Sequence, residues 1–99
     1  MRRRVFYHPL FDRDVIEAAE WYDDRTDGLG DAFVANVAQA VNEVVTSPER
    51  FGKVSSELRY SRVQRFPYLV LFDYCDVELL LLGVLHTARS IQKWRRALQ

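Results

Sequence analysis

The sequence predicts an α+β domain with the order β-α-α-β-β-β and a short C-terminal helix. Its mainly antiparallel sheet is expected to be covered on one face by a helical hairpin. Two observations carry most of this. Residues 9–25 and 29–46 place apolar side chains at helical spacing, whereas 58–63, 68–74 and 77–86 are apolar runs separated by gaps of turn length. Helical stretches also follow one another, as do the strand-like ones, which favours α+β over alternating α/β. A third observation is length: 99 residues suit one domain, 1–99, that can bury a real core.

Val5-Phe6-Tyr7 reads as a short strand stopped by Pro9. Proline is well tolerated at a first helical position, so a helix is expected to start there. Phe11, Val15, Ala18 and Tyr22 form its apolar stripe, Asp12 and Asp14 suit its positive N-terminal end, and Thr26-Asp27-Gly28 ends it. The second helix carries Leu29, Phe33, Val37, Ala40, Val41 and Val44 on one stripe and stops at Ser47-Pro48. The short connection at Gly28 makes the two an antiparallel hairpin. Residues 49–56 read as a polar loop. Strands 58–63, 68–74 and 77–86 follow, turned by Arg65-Phe66-Pro67 and by Cys75-Asp76. Ser90 is placed to cap a last helix with Ile91, Trp94 and Leu98 on one face. In the middle strand Tyr68, Val70 and Phe72 point one way, and Leu69 and Leu71 the other. One face packs on the helices. The other needs the terminal segment, a second copy or a partner to cover it.

The formal net charge is zero, which argues against whole-molecule attraction to nucleic acid. The two halves differ, however. Residues 1–49 hold five Lys/Arg and ten Asp/Glu, net −5, and residues 50–99 hold nine and four, net +5. A basic surface in the second half would suit an acidic partner. Cys75 is the sole cysteine, so neither an internal disulfide nor a cysteine metal site is expected, in keeping with a reducing cytoplasm. Arg2-Arg3-Arg4 is not followed by an apolar segment, so no secretory leader is expected, and no apolar run reaches membrane-spanning length. No metal or other cofactor is expected.

Residues 59–89 concentrate the chemistry-bearing side chains. Arg59, Arg62 and Arg65 offer planar donor forks matched to phosphate or carboxylate. Strand geometry sets Arg59 and Arg62 on opposite faces, and Arg65 lies where the chain turns. His86 and Arg89 end the last strand, where an imidazole beside a guanidinium could serve acid–base work on RNA. Glu17, Glu20 and Asp24 share one helix face but read as a solvated stripe. Trp21 and Trp94 read as packing residues.

Residues 18–33, AAEWYDDRTDGLGDAF, resemble the Trp-Tyr, Gly-Leu-Gly and Phe pattern of the RelE/ParE superfamily of bacterial type II toxins. Ser47-Pro48 stands where members end the second helix. Arg59, then Phe66-Pro67-Tyr68, then His86 and Arg89, then Trp94 follow the order of the ParE-like plasmid-stabilisation branch, so the resemblance covers nearly the whole chain. It implies a toxin made with a small antitoxin whose flexible tail wraps around it, and Tyr68, Val70 and Phe72 are the expected antitoxin contacts. It further implies a non-enzymatic inhibitor of DNA gyrase, with Arg59, Arg65, Arg89 and Trp94 facing the target. The alternative is a RelE-like, ribosome-dependent mRNA endonuclease using Arg59, His86 and Arg89. Nuclease members often place arginine where this chain has Tyr68, and residues 49–56 supply only Lys53 as a lysine. A pI near 6.7 also suits a ribosome binder poorly. A second alternative is an inactive binding module that keeps the fold.

Overall fold

The structure is a computed structural model that describes residues 2–55, 57–89, 93 and 96. Its elements are β1 (Arg4–Tyr7), α1 (Pro9–Arg25), α2 (Leu29–Thr46), a 3-10 turn (Pro48–Arg50), β2 (Lys53–Ser55), β3 (Leu58–Arg62), β4 (Tyr68–Tyr74) and β5 (Glu78–His86). The expected terminal helix, with Ser90, Ile91, Trp94 and Leu98, lies outside the described residues.

His8 caps α1: its Nδ1 accepts the Leu10 N–H at 3.0 Å, and Pro9 follows at the first helical position. The helix closes at Thr26, whose N–H reaches the Tyr22 carbonyl. Gly28, at φ +85°, takes the left-handed conformation that reverses the chain into α2. Two residues on, the helices touch. The Gly30 N–H donates to Asp23 Oδ1 at 2.7 Å, and a Cβ at Gly30 would meet the Ala19 carbonyl oxygen. The Gly-Leu-Gly sequence therefore performs two tasks: one glycine turns the chain, and the other lets α2 lie against α1.

The sheet has the order β1-β5-β4-β3-β2. Neighbours β5-β4-β3-β2 are antiparallel, while β1 pairs with β5 in parallel, so the sheet is mixed. Strand β2 was not expected. Its three residues pair with β3 through an irregular register, too short and too polar to show strand alternation in sequence. Strand β3 stops at Arg62, one residue early, because Val63 donates to the Tyr68 carbonyl in the turn.

Both helices pack on one sheet face. Phe11, Ala18, Phe33, Val37, Ala40 and Val44 from the helices meet Val63, Val70, Phe72, Leu79, Leu81 and Val84. Fully burying each of the Val, Leu and Phe side chains contributes roughly 1.5–3 kcal/mol, and each Ala less. The opposite face holds a smaller cluster of Leu58, Leu71 and Leu85. Val70 and Phe72 are completely buried on the helix side. They offer no surface to a partner in this fold, which corrects the expectation that Tyr68, Val70 and Phe72 form an antitoxin-binding patch. Tyr68 is half-buried at the edge of the same layer.

A bulge gives β5 its final orientation. Leu71 pairs with Gly83 but Phe72 pairs with Leu81, so Leu82 is an extra residue. Strict alternation would put Val84 and His86 on the face away from Leu79 and Leu81. The bulge returns Val84 to the helix side, where it joins the main core, and brings His86 opposite Tyr68.

Candidate functional site

Beyond the end of β1, the edge of β5 has no strand beside it among the described residues. His8 makes the last backbone bond there, N–H to the Leu81 carbonyl at 2.8 Å. The next open donor, Val84 N–H, is taken by Asp14 Oδ2 from α1 at 3.0 Å. This bond ties α1 to the bulged strand. A cleft of about 590 Å³ opens beside it, walled by Asp14, Glu17, Trp21 and Tyr22 of α1 and by Tyr68, His86 and Arg89 of the sheet end.

His86 and Tyr68 meet edge to face, with ring centroids 5.0 Å apart. Tyr22 packs on Phe33, Phe66 and Tyr68, forming the floor of the cleft. His86 Nδ1 accepts the Ala88 N–H at 3.0 Å, the Arg89 N–H donates to the His86 carbonyl, and Thr87 N–H donates to Pro67. The imidazole thus builds the turn that delivers Arg89, consistent with a structural use of this histidine. Burial pushes the Tyr68 phenol above its ordinary value. Tyr22 and Asp14 push in the same direction, and the Arg89 guanidinium opposes them. Burial also raises the Tyr22 phenol.

The other arginines lie elsewhere. Arg59 pairs with Phe72, whereas His86 pairs with Tyr68, four residues along β4 and on its other side. At about 3.3 Å per residue and about 4.8 Å per strand spacing, their backbones are roughly 16 Å apart. Arg59 is also engaged: its Nη1 donates to the Phe51 carbonyl at 2.9 Å, and its guanidinium lies 5.0 Å from the Tyr74 ring centre. Arg62 pairs with Leu69 and lies on the opposite face, as alternation requires. Arg65 sits in the turn at φ 72°, off the strand altogether. Trp94 falls outside the described residues. Sequence reasoning brought Arg59, His86 and Arg89 together, and the structure separates Arg59 from the other two.

The α1 wall was missed. Trp21 is 49% exposed rather than core, and the Arg25 guanidinium stacks over its ring at 3.4 Å. Asp14, Glu17 and Trp21 recur at i, i+3 and i+7, a stripe flanking the apolar one. That spacing was the available signal. Glu17 also lies 4.0 Å from Arg13 at its outer rim. Among the described residues no group of His, Cys, Asp or Glu is arranged to hold a metal ion, and no helix is long and apolar enough to cross a membrane. A second, apolar groove of about 410 Å³ runs between the solvent sides of α1 and α2, with Tyr7, Ile16 and Val34 on its walls.

A helical hairpin on one face of a five-stranded mixed sheet, open at one end into a cleft, defines the structural class. The same fold occurs in a chain described as the "Chromosomal ParDE TA system from P. aeruginosa", with TM-score 0.75, 14% identity, and 85% of this chain and 95% of that one covered. It occurs again in the E. coli DinJ-YafQ toxin-antitoxin complex, with TM-score 0.61, 10% identity, and 89% and 96% covered. No protein-family model and no curated protein sequence matches. The chain therefore has the fold expected from its resemblance to the RelE/ParE superfamily.

Proposed function

We propose that this protein is the toxin component of a type II toxin–antitoxin system. In this reading it acts in the cytoplasm by gripping a protein target, DNA gyrase, rather than by cutting RNA. The observation that carries the choice is the charge of the cleft. Arg89 is the single guanidinium among its described lining residues, and Asp14 and Glu17 face it from α1. A phosphodiester entering there would meet two carboxylates, whereas in-line cleavage needs several cations around the developing charge. Arg59, the other candidate clamp, is roughly 16 Å from His86 in backbone position. A protein partner suits the cleft better, because it can match acidic and basic walls together. Arg89 and Arg65 are the target contacts in this reading, and Arg59 instead holds the Phe51 carbonyl. The antitoxin covers the exposed apolar groove of Tyr7, Ile16 and Val34 in place of the buried Val70 and Phe72.

Controlled induction in bacteria, followed by a supercoiling assay with purified protein, tests the reading. Filamentation and inhibited supercoiling are expected, with intact mRNA. Rapid arrest of translation with cleaved transcripts would overturn it in favour of the endonuclease. Growth without either effect would leave an inactive binding module.

A further inference from the structure

We infer that the cleft is a specificity pocket for an arginine side chain of the partner protein, with an acidic residue of the same segment reaching Arg89. This deepens the proposed function and rests on its reading of the cleft as a protein-binding site. The two walls carry opposite charge. Asp14 and Glu17 stand on α1, and Arg89 stands just beyond β5 at the sheet end. The acidic first half of the chain and its basic second half therefore meet across this opening. Both walls act on one half-buried group, since Asp14 raises the Tyr68 phenol and Arg89 lowers it.

The α1 wall has the parts that a guanidinium needs. The Asp14 side chain is 9% exposed, and its Oδ2 is held by the Val84 N–H at 3.0 Å. A carboxylate fixed at the floor of a cleft attracts a cation more strongly than one in open water. Glu17, three residues on and exposed, can close over the same cation. Arg13 lies 3.9 Å from Asp14 and 4.0 Å from Glu17, both at the outer limit of an ion pair, and it is not a wall of the cleft. Trp21 and Tyr22 add aromatic rings to the same wall. The Trp21 ring already accepts a guanidinium, that of Arg25 at 3.4 Å. Arg25 does not line the cleft, so the cleft meets the indole from another side. A guanidinium suits these groups better than an ammonium. It is planar, weakly hydrated, and able to stack on a ring while its fork pairs a carboxylate. The volume of about 590 Å³ falls within the roughly 300–1,000 Å³ of ligand sites. A cation alone would leave Arg89 unmatched, so the segment carries an acidic residue close to its arginine.

Calorimetry and two-dimensional NMR of the full chain, titrated with a short synthetic peptide that places an arginine near an aspartate, test it. Signals of the Trp21 indole and the Val84 amide should shift and saturate. Citrulline in place of the peptide's arginine keeps the shape without the charge and should weaken binding about tenfold. Lysine in its place should also bind less tightly than arginine. Glu17→Gln, at an exposed position, should weaken the arginine peptide about three- to fivefold at unchanged Tm, and Trp21→Leu should do so by a similar factor. Glu43→Gln, an exposed change on α2, should leave binding as it was. Equal binding of the citrulline peptide, no saturable binding, or shifts confined to the groove beside Ile16 and Val34 would overturn the inference. So would a short RNA that binds the same residues more tightly than the peptide. Supercoiling is measured separately, so the two readings can fail apart. Inhibition without peptide binding overturns this inference alone, whereas peptide binding without inhibition overturns the choice of target and leaves the arginine pocket standing.

Discussion

Replacing Gly30 by alanine should destabilise the protein even though alanine is the better helix former. Taken alone, the exchange would favour a helix interior by about 1 kcal/mol. In this fold the added Cβ meets the carbonyl oxygen of Ala19 and lies 2.6 Å from the Asp23 carboxyl. The Asp23 side chain can swing aside. The Ala19 carbonyl belongs to the backbone of α1 and moves only if the helices separate. Overpacking of this kind costs about 1–3 kcal/mol, and a rigid obstacle puts it at the upper end. Separation also stretches the 2.7 Å bond from the Gly30 N–H to Asp23, worth about another 1 kcal/mol. The net loss is about 2–3 kcal/mol, or roughly 10–20 °C in Tm for a chain of this size. Urea unfolding followed by tryptophan fluorescence gives the value. Gly28→Ala is the companion variant: it meets no atom within 4 Å but must hold φ +85°, a strain of about 1 kcal/mol. Gly30→Ala within about 0.5 kcal/mol of the parent, or less damaging than Gly28→Ala, would refute the close-contact argument.

Further outcomes follow from the cleft and its surroundings. Asp14→Ala strands the Val84 N–H at the bulge and should cost about 1–3 kcal/mol, whereas Asp14→Asn keeps an acceptor and should recover part of it, both read by urea unfolding. Tyr68 and Tyr22 titrate above the ordinary tyrosine value near 10.0 in the fold, so the folded chain holds protons that the unfolded chain releases; stability should be full below about pH 10 and fall as pH rises past it. Arg89→Gln should raise the Tyr68 titration further, since the guanidinium now lowers it, as measured by ultraviolet titration against Tyr68→Phe. Arg59→Ala loses the Phe51 carbonyl and the Tyr74 ring and should cost about 1–2 kcal/mol, with toxicity falling only where the variant unfolds, while Arg89→Glu should abolish toxicity at unchanged Tm.

Much of the fold was legible because its signals are local. The stripe of Phe33, Val37, Ala40 and Val44 needs only helical periodicity, and Gly28 needs only a chain reversal. Tyr68–Tyr74 was read to the residue, since Pro67 and Cys75 bracket an unbroken apolar run. The cleft was less legible. Asp14 was read as a helix-end charge, yet its carboxylate serves a strand 70 residues away. Trp21 reads in sequence as a core or hairpin packing residue at the flank of the helix stripe, but its position on α1 leaves it at a cleft rim under Arg25. The resemblance to the nuclease branch groups Arg59 with His86, and strand order sets them on either side of β4.

The sequence by itself determined the order of β1, the helical hairpin and the three strands β3, β4 and β5, and the charge of each half. Periodicity, turn residues and composition act over a few residues and are written directly in the chain. Tertiary structure decided how the ends meet: the parallel pairing of β1 with β5, the extra residue at Leu82 that turns Val84 and His86 toward the helices, and the Asp14 bond that holds that edge. These depend on register between distant segments, which is set by packing two layers against each other and leaves no periodic trace in the sequence. The contents of residues 59–89 were visible from the start; the wall of Asp14 and Glu17 beside Arg89 came only with the fold.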